Sequence, residues 1–254
     1  MARSLLLPKE HGAYFQLALP LVTALAMAWP TVPAALLTVA SFAGFLAHES
    51  LLVLLGRRGT RATREEAALA RRTLVVIGVI GVAAGALGVW LASPSARVMV
   101  LLPLAATLPV GAAIVWNRER TAWGEIAAAV ALASLAVPVA CAAGVSVNAA
   151  LATLASWAVT FTAGTLGVRV MIAFQKARTP LFLRVLPLAV PFAGAALLVK
   201  ASLWNALAPV PVLVVALVVA LTPPHPRALR RIGWGLAAAT VGTVLFLVLG
   251  AHVG

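Results

Sequence analysis

Aspartate is absent from the 254-residue sequence: its six carboxylates are all glutamates, set against 19 lysines and arginines. That excludes any aspartate-rich cation motif. The single cysteine, Cys141, excludes disulfides and a cysteine metal cluster, and its apolar setting reads as packing. Charged residues make up 10% of the chain and hydrophobic ones 63%, with a mean hydropathy of +1.07, which excludes an ordinary soluble domain. The start lacks the pattern of a removable signal peptide, so residues 1 to 9 read as a short basic lead-in. No nucleophile triad, phosphate loop or dinucleotide fingerprint is present, and the glycines are scattered at membrane-packing spacings. With no heptad run and no low-complexity linker, residues 1–254 read as a single transmembrane domain.

Long apolar runs are what the sequence has instead. A helical crossing takes about 20 apolar residues, and nine segments qualify: residues 12 to 29, 33 to 55, 73 to 92, 97 to 116, 122 to 143, 149 to 174, 182 to 199, 204 to 222 and 230 to 250. The expected fold is an all-α, polytopic membrane protein of nine transmembrane helices. The basic residues set its orientation. Arg3, Lys9, the loop "GRRGTRATREEAALARR", the turn "NRER", the segment from Lys176 to Arg184 and "HPRALRR" fall on one side; Arg97 and Lys200 fall on the other. Counting Arg169 with the side its helix end faces, seventeen of nineteen basic residues are together. By the positive-inside rule that side and the N-terminus are cytoplasmic, and the C-terminus is outside. The net charge of +13 thus reports orientation and contact with anionic lipid, not nucleic acid. The implied location is the bacterial inner membrane. Trp29, Trp90, Trp116, Trp123, Trp204 and Trp234 lie near span ends, where indoles sit at the headgroup level.

The outer connections are short and nearly uncharged, so the cytoplasmic side carries the chemistry. The basic loop, residues 56 to 72, is expected to contain a surface helix, because Glu65 and Glu66 lie among arginines at helical spacing. Pro20, Pro103, Pro109, Pro138, Pro187, Pro191, Pro209 and Pro211 fall inside expected spans, where each kinks or loosens its helix. Such kinks leave room for a cavity, although packing alone also explains them.

Lys9, Glu10, His11, His48, Glu49, Asn117, Arg118, Glu119, Arg120, Glu125, Arg169, Lys176 and Arg178 form the polar set that one pocket would draw upon. His48 and Glu49 precede "SLLVLLG" and so lie about two turns inside the second span. Burial demands partners, for which Arg169, Lys9 and His11 are the candidates; a structural ion pair is the competing reading. Glu10, His11, His48 and Glu49 are competent metal ligands, but without an HExxH or repeated Glu-x-x-His spacing no metal is assigned. Arg169 and Lys176 are seven residues apart, on nearly one helix face, and with Arg178 and Arg118 or Arg120 they suit an anionic group. Lys176 and Arg178 serve equally well as markers of the cytosolic boundary.

"PKEHGAYFQLALP", "HESLLVLLGRRG", "NRERTAWGEIAA" and "GVRVMI" together resemble the YwiC-like family of bacterial integral membrane proteins. More distantly, "NRERTAWGEIAAAVALASLAVPVACAAG" is similar to the fourth-to-fifth helix region of UbiA-type prenyltransferases, and "TFTAGTLGVRVMIAFQKARTP" falls where that superfamily carries its second aspartate-rich motif. The likeness implies a UbiA-like bundle. In those enzymes two acidic motifs hold magnesium ions that grip an isoprenoid diphosphate; here the matching positions offer His48 and Glu49, then Arg169 and Lys176. It therefore implies a cytoplasm-facing pocket for an amphiphile, isoprenoid or lipid-like. The anionic or polar head would lie near Lys9, Glu10, His11, Asn117, Arg118, Arg120, Arg169, Lys176 and Arg178, with His48, Glu49 and Glu125 as the groups for any proton transfer. The cofactor, the reaction and protein partners stay open, and the rival reading is a non-enzymatic small-solute transporter or accessory subunit of a membrane complex.

Overall fold

A computed structural model describes residues 5–6, 8, 11–177, 180–222 and 229–253, with the side chains of His11, Ala177 and Leu229 left out. Among the described residues thirteen α-helices follow one another, and there is no strand. The order is α1 (His11–Ala26), α2 (Val32–Leu54), α3 (Thr60–Leu91), α4 (Pro94–Met99), α5 (Leu101–Val115), α6 (Ala122–Ser134), α7 (Ala136–Ala142) and α8 (Val147–Ala177). After these come α9 (Leu181–Val185), a 3-10 turn (Leu186–Leu188), α10 (Ala189–Leu198), α11 (Leu203–Leu207), α12 (Val210–Leu221) and α13 (Leu229–Val253). Among the described residues eight helical stretches are long and apolar enough to cross a membrane, beginning with Val32–Leu54. The first expected crossing, α1, has 16 residues. At 1.5 Å per residue it is about 24 Å long, short of a hydrocarbon core of about 30 Å.

Prolines divide the crossings into pieces. Pro138 lies just past the break at Leu135 between α6 and α7, Pro187 is the middle residue of the 3-10 turn, and Pro191 lies in the first turn of α10. Pro209 and Pro211 begin α12. Each lacks a backbone donor, so the helix is re-started rather than continued. The basic loop departs from expectation. Residues 60–72 are the leading turns of α3, which runs unbroken into its crossing, and no separate surface helix forms there.

Three connections end in the same way. Gly56, Asn117 and Gly144 take positive φ immediately after the C-caps of α2, α5 and α7. In each case the next N–H reaches back to the carbonyl five residues earlier: Arg57 to Leu52, Arg118 to Ala113 and Val145 to Ala140. These are Schellman caps, which satisfy the last carbonyls of a helix and fix the exit direction of the chain.

The core runs along the bundle. Leu17, Leu21 and Ala24 of α1 pack with Leu37 and Phe45 of α2 and with Ala136 to Ala143 around α7. Trp157 of α8 is fully buried and stacks on Phe161, 5.2 Å between centroids. At one end of the bundle Thr31 donates to the Ala142 carbonyl at 2.8 Å, and a ring nitrogen of His252 lies 3.0 Å from the Ala26 carbonyl. The opposite end carries the basic segments. There the Leu6 N–H donates to Thr73 Oγ1 at 3.0 Å and Tyr14 donates to the Pro8 carbonyl at 3.1 Å, fastening the N-terminal segment over α2 and α3.

Candidate functional site at the basic end of the bundle

Two arginine–glutamate clamps organise the basic end. The first closes the α2–α3 turn: Arg58 donates from Nε and Nη2 to the two oxygens of Glu49 at 2.9 and 2.5 Å. The Glu49 side chain is only 12% exposed, so a matched, bidentate cation is what its position requires. The expected partners for Glu49 were Arg169, Lys9 or His11; the structure supplies Arg58. The Schellman cap at Gly56 turns the chain back so that a guanidinium nine residues later meets the carboxylate. His48 lies exposed beside it on α2. Lys9, Glu10 and Arg178 lie outside the described residues, as does the side chain of His11.

The second clamp joins two crossings. Arg169 of α8 donates from Nε to Glu125 Oε2 at 2.9 Å and from Nη2 to Oε1 at 2.8 Å, and Nη2 also donates to the Arg120 carbonyl. Glu125 stands in the first turn of α6, where the helix dipole favours negative charge. This answers the burial question raised by Arg169: its charge is matched by an acid on a neighbouring helix and its fork fits a carboxylate. Arg169 thereby joins Glu125 and Arg120, while Lys176 is exposed in the last turn of α8.

The turn that carries Glu125 is itself tightly built. Asn117 sits at φ 52° as the Schellman residue, a backbone role that asparagine tolerates better than most side chains. Thr121 caps α6 by accepting from the Gly124 N–H at 3.3 Å while donating to the Arg118 carbonyl at 2.6 Å. Gly124 is buried beneath that turn, and a Cβ there would collide with the carbonyls of Arg118 and Glu119. Beside it lies a shallow, open depression of about 670 Å³ lined by Trp116, Arg118 and Trp123. Two indoles and an unburied guanidinium offer apolar faces and an anion-binding fork in one place. Among the described residues, no three histidine, cysteine, aspartate or glutamate side chains gather as metal ligands.

Nothing in the sequence pattern marks Arg58, Gly124 or the two lining tryptophans as one assembly. The tryptophans were legible as span-end residues, but their convergence depends on the Asn117 turn. The basic residue Arg97, at the other end of the bundle, is also accounted for. Its guanidinium donates to the carbonyls of Val89, Trp90 and Ala92 at the C-terminus of α3, where a cation is favoured.

The family model of the YwiC-like protein matches residues 7–141, more than half of the chain. The chain belongs to the YwiC-like family. The matched region runs from the N-terminal segment through α7 and so includes the Glu49 clamp, the 116–124 turn and Glu125, whereas Arg169 and Lys176 lie beyond it. No curated protein and no solved structure matches the chain. The UbiA-type likeness gains no support from these comparisons. Taken with the spans, the family match identifies a multi-span membrane protein, consistent with the bacterial inner membrane.

Proposed function

We propose that this YwiC-like protein crosses the inner membrane nine times, with its N-terminus in the cytoplasm and C-terminus outside, and binds the anionic head of an amphiphile at its cytoplasmic rim. The observation that carries the reading is the depression formed by Trp116, Arg118 and Trp123 on a turn held rigid from both sides. The Arg118 guanidinium receives the phosphate or carboxylate, and the indoles cover the first carbons of the tail. Arg120 and Lys176 add positive charge at the same end; Lys9, Glu10, His11 and Arg178 are assigned to the same ligand, although Lys9, Glu10, Arg178 and the His11 side chain lie outside the described residues. Asn117 acts through its backbone, and Arg169 holds the turn in place through Glu125.

The UbiA likeness supports the class of ligand, isoprenoid or lipid-like, and a bundle open to the cytoplasm. It does not support that superfamily's magnesium-bridged chemistry, since the sequence has no aspartate and its sixth expected span has no acid. His48, Glu49 and Glu125 remain the ionisable groups for any proton transfer, and no reaction step is assigned to them. The engagement of Arg169 by Glu125 favours a second reading, a non-enzymatic accessory subunit or small-solute transporter, in which the clamp is purely structural.

The test is thermal unfolding of the full chain in detergent with farnesyl diphosphate and a chelator present. A rise in Tm for the native protein, absent with farnesol and absent in Arg118→Gln, is expected. No rise in the native protein would overturn the amphiphile reading and leave the structural one.

A further inference from the structure

All six glutamates lie at or before residue 125, so the remaining half of the chain carries eight lysines and arginines and not one acidic side chain. Of the glutamates, Glu49, Glu65 and Glu125 are already engaged by Arg58, Arg61 and Arg169. Among the described residues Arg184 has no such partner. It stands in α9, one turn after Pro180, with its guanidinium carbon 4.8 Å from the centroid of the Phe174 ring on α8. Its Nε and Nη1 are buried and find no acceptor among the described residues, and the amide nitrogen of Gln175, the residue after Phe174, is likewise buried without one.

Orphaned donors of this kind are costly, and a shielded guanidinium without a counter-charge is costlier still. The surroundings indicate where the missing acceptor comes from. Leu181, Phe182, Leu183 and Leu186 are each half-exposed or more, so the flank of α9 is an apolar surface of the sort that acyl chains cover. Arg184 lies about 5 Å from the start of this crossing, near enough to the helix end for a long arginine side chain to reach headgroup level. The ring of Phe174 backs the guanidinium, whose donor fork is of the type that suits a phosphate.

We infer that Arg184 and Gln175, backed by Phe174, hold the phosphate of an anionic phospholipid at the basic end of the bundle, with its acyl chains along Leu181, Phe182, Leu183 and Leu186. The site is separate from the Trp116–Arg118–Trp123 depression, which no part of α9 lines. Its ligand is a phosphodiester oxygen, and lipid is the source, since the apolar flank serves no purpose for free phosphate. An anionic headgroup is favoured over a zwitterionic one because the second half of the chain supplies no acid to neutralise a choline.

The experiment is native mass spectrometry of the full chain in detergent, with dioleoylphosphatidylglycerol, dioleoylglycerol or inorganic phosphate added. The native protein is expected to retain phosphatidylglycerol, to retain little dioleoylglycerol, which lacks the phosphate, and to be indifferent to millimolar inorganic phosphate. Arg184→Gln lowers phosphatidylglycerol occupancy about tenfold, Gln175→Leu lowers it less, and Lys200→Gln, an exposed lysine just beyond α10, leaves it unchanged. Should Arg184→Gln fail to fold, Arg184→Lys keeps the charge but not the fork and still loses most of the occupancy. Equal retention by the native protein and the Arg184 variants, or equal retention of dioleoylglycerol, would overturn the site. Displacement of the lipid by inorganic phosphate would overturn lipid as the ligand.

Discussion

Arg169 and Glu125 meet through two side-by-side hydrogen bonds, Nε to Oε2 at 2.9 Å and Nη2 to Oε1 at 2.8 Å, and so join α8 to the first turn of α6 across 44 residues of sequence. Both side chains keep partial contact with the surroundings, 33% and 45% exposed, so screening limits the energy of the pair. In a double-mutant cycle of Arg169→Ala and Glu125→Ala, a coupling of about 1 kcal/mol is expected. The readout is unfolding in detergent. A coupling near zero would show that the two residues act independently and that the turn is held by other contacts.

The clamp between Arg58 and Glu49 is better shielded and carries a larger penalty. Arg58→Ala leaves a carboxylate with 12% of its side chain exposed facing no fork, a loss of about 2 to 3 kcal/mol. Glu49→Gln in the same protein removes the stranded charge, so the double variant recovers part of the lost stability. If the second substitution instead lowered stability further, the burial argument for Glu49 would fail.

Two glycines near the same end separate steric need from simple helix propensity. A Cβ at Gly124 would meet the carbonyl oxygens of Arg118 and Glu119, the latter at 2.9 Å, whereas one at Gly111 would meet nothing within 4 Å. Gly124→Ala should cost about 1 to 3 kcal/mol, and Gly111→Ala should be neutral or slightly stabilising. Comparison of Tm for the two variants checks the turn geometry on which the rim depends; equal values contradict it.

Apolar run length made most of this architecture readable, because a crossing needs little more than a sufficient stretch of hydrophobic residues. Val32–Leu54 and Val147–Ala177 fall close to the expected second and sixth spans. Where the sequence was silent, the deciding feature was tertiary. Several arginines in residues 57–72 had the right charge to meet Glu49, and only the Gly56 turn selects Arg58. Arg169 was recognisable as a charge that needed a partner, yet the choice of Glu125 over Glu49 depends on which helices are neighbours. The interior prolines signalled interruptions without saying which would break a helix. Pro109 lies inside continuous α5, while the crossing that holds Pro138 divides at Leu135. The continuity of α3 through the basic loop escaped the reading because arginine and glutamate are good helix formers whether or not a crossing follows.

The central claim is that the Trp116–Arg118–Trp123 rim binds an anionic amphiphile without a divalent cation. Its most direct measurement is the dissociation constant for farnesyl diphosphate in chelator, determined for the native chain and for Arg118→Gln in matched nanodiscs. Measurable binding by the native protein is expected, with a weakening of about tenfold or more in the variant from the loss of one charge-assisted fork. Identical constants for the two proteins, or binding that appears only when magnesium is restored, would contradict it.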